Sequence, residues 1–175
     1  MGNKVISVSL SESGIEKAIQ ELLAYKQEII RKTELLRQKV AARLADEARS
    51  GFNGAIVDDI INGTPKPAKV TVEWQDNGNL SVVVAKGEDA VWVEFGAGVY
   101  HNGSLGSSPH PHGVDLGMII GGYGKGRGRQ KTWYYRDKEN QELYKTHGTP
   151  ALMPMSQAVN TVINDIVSIA REVFG

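Results

Sequence analysis

Residues 91–98 read Val-Trp-Val-Glu-Phe-Gly-Ala-Gly, an apolar run with one carboxylate that breaks abruptly into small residues. Each of its large apolar side chains contributes roughly 1.5 to 3 kcal/mol if it is fully buried. Gly96 and Gly98 permit a positive φ or a close backbone approach where a side chain would clash. We therefore predict a turn that its apolar side chains anchor in the core.

Glu94 is the one charged residue of this run, and three roles fit it. It could be a catalytic carboxylate, an acceptor for a helix end or backbone amide, or half of a salt bridge to a neighbouring subunit. No acidic residue follows it until Asp115, so no second carboxylate comes soon after it for general acid–base chemistry. We favour the structural or interface role.

A second stretch, residues 147–155, reads His-Gly-Thr-Pro-Ala-Leu-Met-Pro-Met. Apolar residues then recur at helical spacing as far as Val173, which predicts a C-terminal helix. Pro154 fits the first turn of that helix, where its missing amide hydrogen costs nothing.

The N-terminal part predicts a strand followed by a long helix. Residues 4–10 alternate apolar and polar side chains, a pattern typical of a half-buried edge strand. Ser13 and Glu16 have capping-box spacing, and Ser50-Gly51 offers a stop, so the helix would be about 57 Å long. Its apolar face fits packing on the protein's own sheet or a coiled-coil seam between chains, although Lys26 and Thr33 interrupt the seam.

Two hairpins are predicted in the middle and later parts of the chain. Residues 69–74 and 80–85 flank a polar link that contains Asn-Gly, a strong hairpin signal. Residues 131–137 and 142–146 form a second candidate pair. Residues 62–67, with Asn-Gly and two prolines, predict a loop before the first hairpin.

Residues 103–128 hold nine glycines and cannot sustain a helix or a central strand. Loops of this length are usually functional or disordered, so a partner-binding arm and a flexible crossover both fit. The segment carries the apolar cluster Met118, Ile119, Ile120 and Tyr123, and a basic run begins in it at Lys125 and Arg127 and continues to Arg129.

No motif for catalysis or cofactor binding emerges, and we predict no cofactor. The Gly-Lys-Gly-Arg-Gly run lacks the glycine spacing of dinucleotide sites and the Ser or Thr that follows the lysine of phosphate-binding loops. The four histidines, His101, His110, His112 and His147, have no helix to fix them and no carboxylate at ligand spacing, so we predict no metal site. A hydrolase built on Glu94, His110 and His112 lacks a supporting pattern.

Composition indicates one domain of 175 residues with balanced charge. Lys plus Arg and Asp plus Glu each number 20, 41% of residues are hydrophobic, and there is no cysteine for a disulfide or thiolate site. No apolar stretch approaches the roughly 18 residues that span a bilayer, so we expect no membrane partner. Residues 68–98 carry 2 − 5 = −3 charges, whereas residues 99–131 carry 4 − 1 = +3.

The run at 91–98 resembles the V-E-F-G-T-G signature of the neck and tail-completion proteins of long-tailed bacteriophages, which are head–tail joining proteins. The stretch at 147–158 resembles the G-x-x-A-x-P-F-x-x-x-A start of their C-terminal helix. Ala97 replaces the usual Thr, and Leu-Met-Pro-Met at 152–155 replaces the usual Gln-Pro-Phe version. The residues that match the two signatures are Val93, Glu94, Phe95, Gly96, Gly98, Gly148, Pro154 and Ala158.

The resemblance implies an α+β fold, a twisted, mainly antiparallel sheet with a long N-terminal and a C-terminal helix packed on it. It implies a virion protein, made in the host cytoplasm, that forms a ring of identical subunits between head-closure or connector proteins and the tail tube. Opposite charges on two faces favour head-to-tail contact in such a ring. The predicted interface comprises Glu73, Glu88, Asp89, Glu94, Met118, Ile119, Ile120, Tyr123, Lys125, Arg127, Arg129 and Lys131.

The same basic residues support two other uses. They could attract DNA nonspecifically inside the channel of the ring. Alternatively, the chain could be a small nucleic-acid-binding module in which the basic Gly-rich loop acts with the stacking residues Trp133, Tyr134 and Tyr135. The sequence does not separate these uses from contact with a neighbouring subunit.

Overall fold

The computed structural model describes residues 5–57, 60–98, 110–113, 115 and 132–175. These residues form three helices and eight short strands, and the strands pair as antiparallel ladders. The α+β class is thus confirmed, with a long N-terminal and a C-terminal helix. The strands are divided among four two-stranded ladders instead of one continuous twisted sheet. Across these ranges, no helix combines the length and apolar character needed to cross a membrane.

The first helix, α1, is unbroken from Glu12 to Phe52, 41 residues, or about 61 Å at 1.5 Å per residue. Ser11 is its N-cap, with an extended backbone and a side-chain oxygen that accepts a hydrogen bond from the Gly14 amide at 3.2 Å. The capping box predicted at Ser13 and Glu16 is therefore wrong, because the helix starts earlier and both residues lie inside it.

Gly51 does not stop α1 as predicted, because the helix runs one residue further. A Cβ at this position would lie 2.7 Å from the Cβ of Pro154. The glycine therefore permits a close approach between the end of α1 and the start of the C-terminal helix.

The strand predicted for residues 4–10 is wrong over the part that is described, residues 5–10. These residues join no ladder, and Val5 and Leu10 are 83% and 96% exposed. An alternating pattern makes a strand only where a neighbouring strand accepts and donates the backbone hydrogen bonds. Among the described residues, no such neighbour lies alongside this segment.

The first predicted hairpin is confirmed as β3 (Thr71–Asp76) paired with β4 (Ser81–Lys86). Its turn is held by Asn77, whose side-chain oxygen accepts a hydrogen bond from the Leu80 amide at 2.8 Å. Before it, β1 (Ile56–Val57) pairs with β2 (Lys66–Pro67), so the predicted loop at 62–67 ends in a short strand.

The remaining elements complete the chain order. A short helix, α2 (Ala90–Phe95), precedes β5 (Ala97–Gly98), which pairs with β8 (Gly148–Thr149). The second predicted hairpin is confirmed as β6 (Trp133–Arg136) and β7 (Leu143–Thr146). The C-terminal helix α3 spans Pro154–Phe174, with Pro154 in its first turn as predicted.

The core lies where the second half of α1 meets the β3–β4 hairpin, α2 and α3. Small side chains on α1 allow these elements to approach closely. Helices α1 and α3 run antiparallel, since Arg43 contacts Asp165 at 3.4 Å and Lys39 contacts Glu172 at 2.9 Å. The buried cluster is Ala45, Ala48, Phe52, Ala55, Val57, Val72, Val93 and Ala158.

Asp76 ties the hairpin to α1. Its carboxylate accepts hydrogen bonds from Gln38 at 2.8 Å and from Arg37 Nε at 3.1 Å, and the Ser81 hydroxyl donates to it at 3.1 Å. The hydrogen bond from Gln38 is the largest cause that lowers the pKa of Asp76 below its ordinary value. The second half of α1 therefore packs on the protein's own hairpin.

Candidate functional site

The two stretches singled out in the sequence meet in one junction. Residues 90–95 form the short helix α2 rather than a simple turn, and the helix ends at Gly96, which has a φ of 79°. Val93 is fully buried and supplies the apolar anchor. The positive φ predicted for the small residues after Phe95 is thus present at Gly96.

Glu94 caps the N-terminus of α3. Its Oε2 accepts a hydrogen bond from the Met155 amide at 2.7 Å, and its Oε1 accepts one from the Ser156 amide at 2.9 Å. The residue at the N-cap position itself, Met153, provides no side-chain acceptor. Glu94 is 5% exposed, and the partial positive charge at the helix start stabilises its carboxylate.

His110 is the third partner of Glu94. Its Nε2 lies 3.0 Å from Glu94 Oε1, while its Nδ1 accepts a hydrogen bond from the His112 amide at 3.0 Å. Because Nδ1 is an acceptor, the ring proton is on Nε2 and points to the carboxylate. The ring of Phe95 packs on the imidazole with 4.2 Å between centroids.

Backbone contacts join the same two stretches twice more. The Leu152 amide donates to the Val93 carbonyl at 2.9 Å, and β5 pairs with β8 through Ala97 opposite Thr149. Gly148, in β8, has a φ of 96°, a value that favours glycine. Pro154 and Ala158 are buried beside this junction.

The hydrogen bonds of this junction have a structural role. Both carboxylate oxygens of Glu94 and both ring nitrogens of His110 have hydrogen-bond partners, so the geometry supports the helix-end role among the three considered for Glu94. His112 lies 3.7 Å from Asp115 at the surface. Within the described ranges, no three His, Asp or Glu side chains form a group that could hold a metal ion. His101 lies outside those ranges, and His147 is exposed.

The acidic residues of the predicted interface differ in how they are engaged. Glu73 pairs with Lys86 across the hairpin at 2.5 Å, and Asp89 accepts a hydrogen bond from the Lys69 amide at 2.8 Å. Glu88 is exposed, and its side chain makes no hydrogen bond or ion pair with another described residue. The other predicted interface residues lie outside the described part of the chain: Met118, Ile119, Ile120, Tyr123, Lys125, Arg127, Arg129 and Lys131.

Two helix surfaces carry large exposed apolar side chains at positions that periodicity alone does not distinguish from core positions. One is on the first half of α1, where Ile15, Ile19 and Leu22 are 46%, 49% and 55% exposed. The other is the outer face of α3, which we define as Val159, Ile163, Ile166 and Val167. Helical periodicity predicts that such residues share a face, but it does not predict whether the same chain covers that face.

The sequence places His110 with Glu94 only in the disfavoured hydrolase and otherwise as a possible metal ligand, because no sequence signal predicts a structural hydrogen bond between residues of separate segments. Comparison of this chain with protein-family models, with curated proteins and with solved structures gives no match.

Proposed function

We propose that this protein is a structural protein of a tailed phage or prophage virion, and that it forms an oligomeric ring at the head–tail junction as a neck or tail-completion protein. The observation that carries the proposal is the capping of α3 by Glu94. Through this contact the two stretches that resemble the head–tail joining signatures become parts of one structural unit.

The role proposed for this unit is to fix α3 against the rest of the subunit. Helix α3 then presents its outer face in a defined orientation. Its most exposed member, Ile163, is 60% exposed, and adjoining apolar residues on a soluble protein commonly mark contact with another protein. A ring supplies such a contact through neighbouring copies of the same chain.

The proposed partners are further copies of this chain, the head-closure or connector protein on one side and the tail-tube protein on the other. DNA passing through the channel is a further, nonspecific contact for the basic residues of the Gly-rich segment.

The first experiment is negative-stain electron microscopy and mass photometry of the purified full chain. We expect closed rings of uniform subunit number, and we expect Ile163→Glu to shift the mass distribution towards smaller species. Asn164→Glu is the matched control, because it places the same charge at an adjacent exposed position of α3.

A protein that remains monomeric at every concentration and binds DNA in a salt-sensitive manner would contradict the ring and support the nucleic-acid-binding alternative. Equal effects of the two glutamate substitutions would place the outer face of α3 away from the subunit contact.

A further inference from the structure

The first half of α1 extends beyond the elements that cover its second half. The last residues of α3 reach α1 near Lys32, whose ammonium lies 5.9 Å from the centre of the Phe174 ring. Residues 12–31 of α1 precede this contact, a length of about 30 Å. We call them the α1 extension.

The α1 extension carries a seam at heptad spacing. Ile15, Ile19 and Leu22 are separated by four and three residues, the spacing of coiled-coil core positions, and each is about half exposed, while the small side chain of Ala18 beside them is buried. Lys26 occupies the next position of the seam. Thr33, the later interruption, lies beyond the extension, and its hydroxyl donates to the Ile29 carbonyl at 2.8 Å.

Lys26 determines which arrangement of two such helices is favourable. In a parallel pair, Lys26 would lie beside Lys26 of the second copy, and the two ammonium groups would repel each other. In an antiparallel pair with Ile19 opposite Leu22, Lys26 lies opposite Ile15 of the second copy and next to its Glu16. Neither Glu16 nor Lys26 makes a side-chain hydrogen bond or ion pair with another described residue.

We propose that the protein forms an antiparallel dimer through the α1 extension, with Ile19 packed on Leu22 of the second copy and Lys26 paired with its Glu16. This register overlaps residues 12–29 of both copies. The overlap fits within the extension and places the two folded bodies at opposite ends of the helix pair. The contact has twofold symmetry, so it is independent of the head-to-tail contacts of the proposed ring.

Sedimentation equilibrium of the full chain carrying Ile163→Glu, which disrupts the proposed ring contact, tests the charge pairing. We expect a reversible dimer whose dissociation constant rises about tenfold or more in Lys26→Glu, because two attractive pairs become repulsive. The double variant Glu16→Lys with Lys26→Glu restores most of the affinity. Lys17→Glu, which makes the same charge change away from the seam, leaves the dissociation constant near that of the wild type, and circular dichroism verifies that each variant remains helical.

Disulfide trapping tests the register, and the chain is suited to it because it contains no cysteine. Ile19→Cys and Leu22→Cys proteins of different mass are mixed and oxidised. The antiparallel register predicts that the mixed disulfide dominates, since only residues 19 and 22 face each other within bridging distance.

Dominance of the two homodisulfides would show a parallel arrangement and overturn the proposal. A protein that shows no dimer and no cross-link at any concentration would also overturn it, and rings seen by microscopy would still support the proposed function. Conversely, mixed disulfides without rings would support the dimer alone.

Discussion

Glu94 caps a helix that begins far from it in the sequence. Most helix starts are capped by the residue directly before them, but Met153 has a left-handed backbone and no acceptor in its side chain. The carboxylate that replaces the local cap lies 61 residues earlier in the chain than Met155. Through this long-range contact a single buried carboxylate accepts from two backbone amides at the start of the helix.

Replacing Glu94 by Ala should destabilise the protein by about 2 to 4 kcal/mol, because the amides of Met155 and Ser156 and the ring of His110 lose their common acceptor. Glu94→Gln retains one acceptor oxygen and should lose about half as much. Urea unfolding followed by circular dichroism measures both losses.

The matched control for these substitutions is Glu73→Ala. Glu73 pairs with Lys86 at the surface, with 52% of its side chain exposed, so its removal should cost at most about 1 kcal/mol. A loss in Glu94→Ala no larger than that in the control would show that the cap contributes little to stability.

From the sequence, three roles are possible for Glu94. The run that contains it predicted burial of the apolar side chains beside it. Its donors were not predictable, because no periodicity or spacing links a residue to amides some 60 positions away. The same limit applies to His110, whose segment offers no regular secondary structure from which a direction could be inferred.

Among the elements, an ion pair joins β2 to the β6–β7 hairpin. Lys66 in β2 donates to the carboxylate of Asp137, which directly follows β6 and is buried. The hydrogen bond from Lys66 is the largest cause that lowers the pKa of Asp137, with the Glu139 amide second. The same bond raises the pKa of Lys66 above its ordinary value.

These pKa shifts predict how the stability contribution of the pair depends on pH. A carboxyl group whose pKa is lowered by folding stabilises the protein above its ordinary pKa of about 3.9, and the contribution is lost as the pH falls through the lowered value. Lys66, whose pKa is raised by folding, stabilises the protein at pH values below about 10.4. This contribution is lost as the pH rises through the raised pKa. The contribution should therefore be constant between about pH 5 and 9 and decline on either side.

Asp137→Asn tests this dependence. The difference in unfolding free energy between wild type and variant should be greatest on the plateau and shrink in acid. Asp76, whose pKa is also lowered, remains in both proteins and cancels in the difference. Glu139→Gln, at an exposed neighbouring position, is the control. A difference that stays the same down to pH 2 would exclude the ion pair as its source.

The elements that the sequence predicted correctly are those with local signals. The hairpin at Asn77-Gly78 and the two long helices follow from turn chemistry and periodicity within a short window. The prediction of a strand at residues 4–10 was wrong because it rested on a local alternation of apolar and polar residues. A strand also requires pairing with a distant segment, which that alternation does not specify. Division of the strands into four ladders also depends on pairing between distant segments, which one sequence does not specify.

For the whole molecule, the sequence predicts that an acidic and a basic region meet between subunits. The structure refines which acidic group is suited to that contact. Glu73 and Asp89 already have partners within the subunit, whereas Glu88 is exposed and has none among the described residues. Glu88 is therefore the best acidic position at which to test a charge reversal.

Arg127→Glu combined with Arg129→Glu should slow or prevent ring formation, and adding Glu88→Lys should restore part of it. Light scattering at low and moderate salt follows the assembly, and the effect should weaken as salt screens the charges. If the two reversals at Arg127 and Arg129 leave assembly unchanged, these charges face solvent or DNA and not a neighbouring subunit.

The capping contact has a consequence for the length of the chain between Glu94 and α3. Because Glu94 contacts the start of α3 directly, this hydrogen bond closes a loop of chain that runs from Glu94 to Met155, 61 residues apart in sequence. The entropy of closing a flexible loop grows only with the logarithm of its length, by about 0.6 kcal/mol for each doubling. Lengthening the chain between the two partners of the cap therefore costs little loop-closure entropy, provided that the contacts of His110 and of the β6–β7 hairpin are retained.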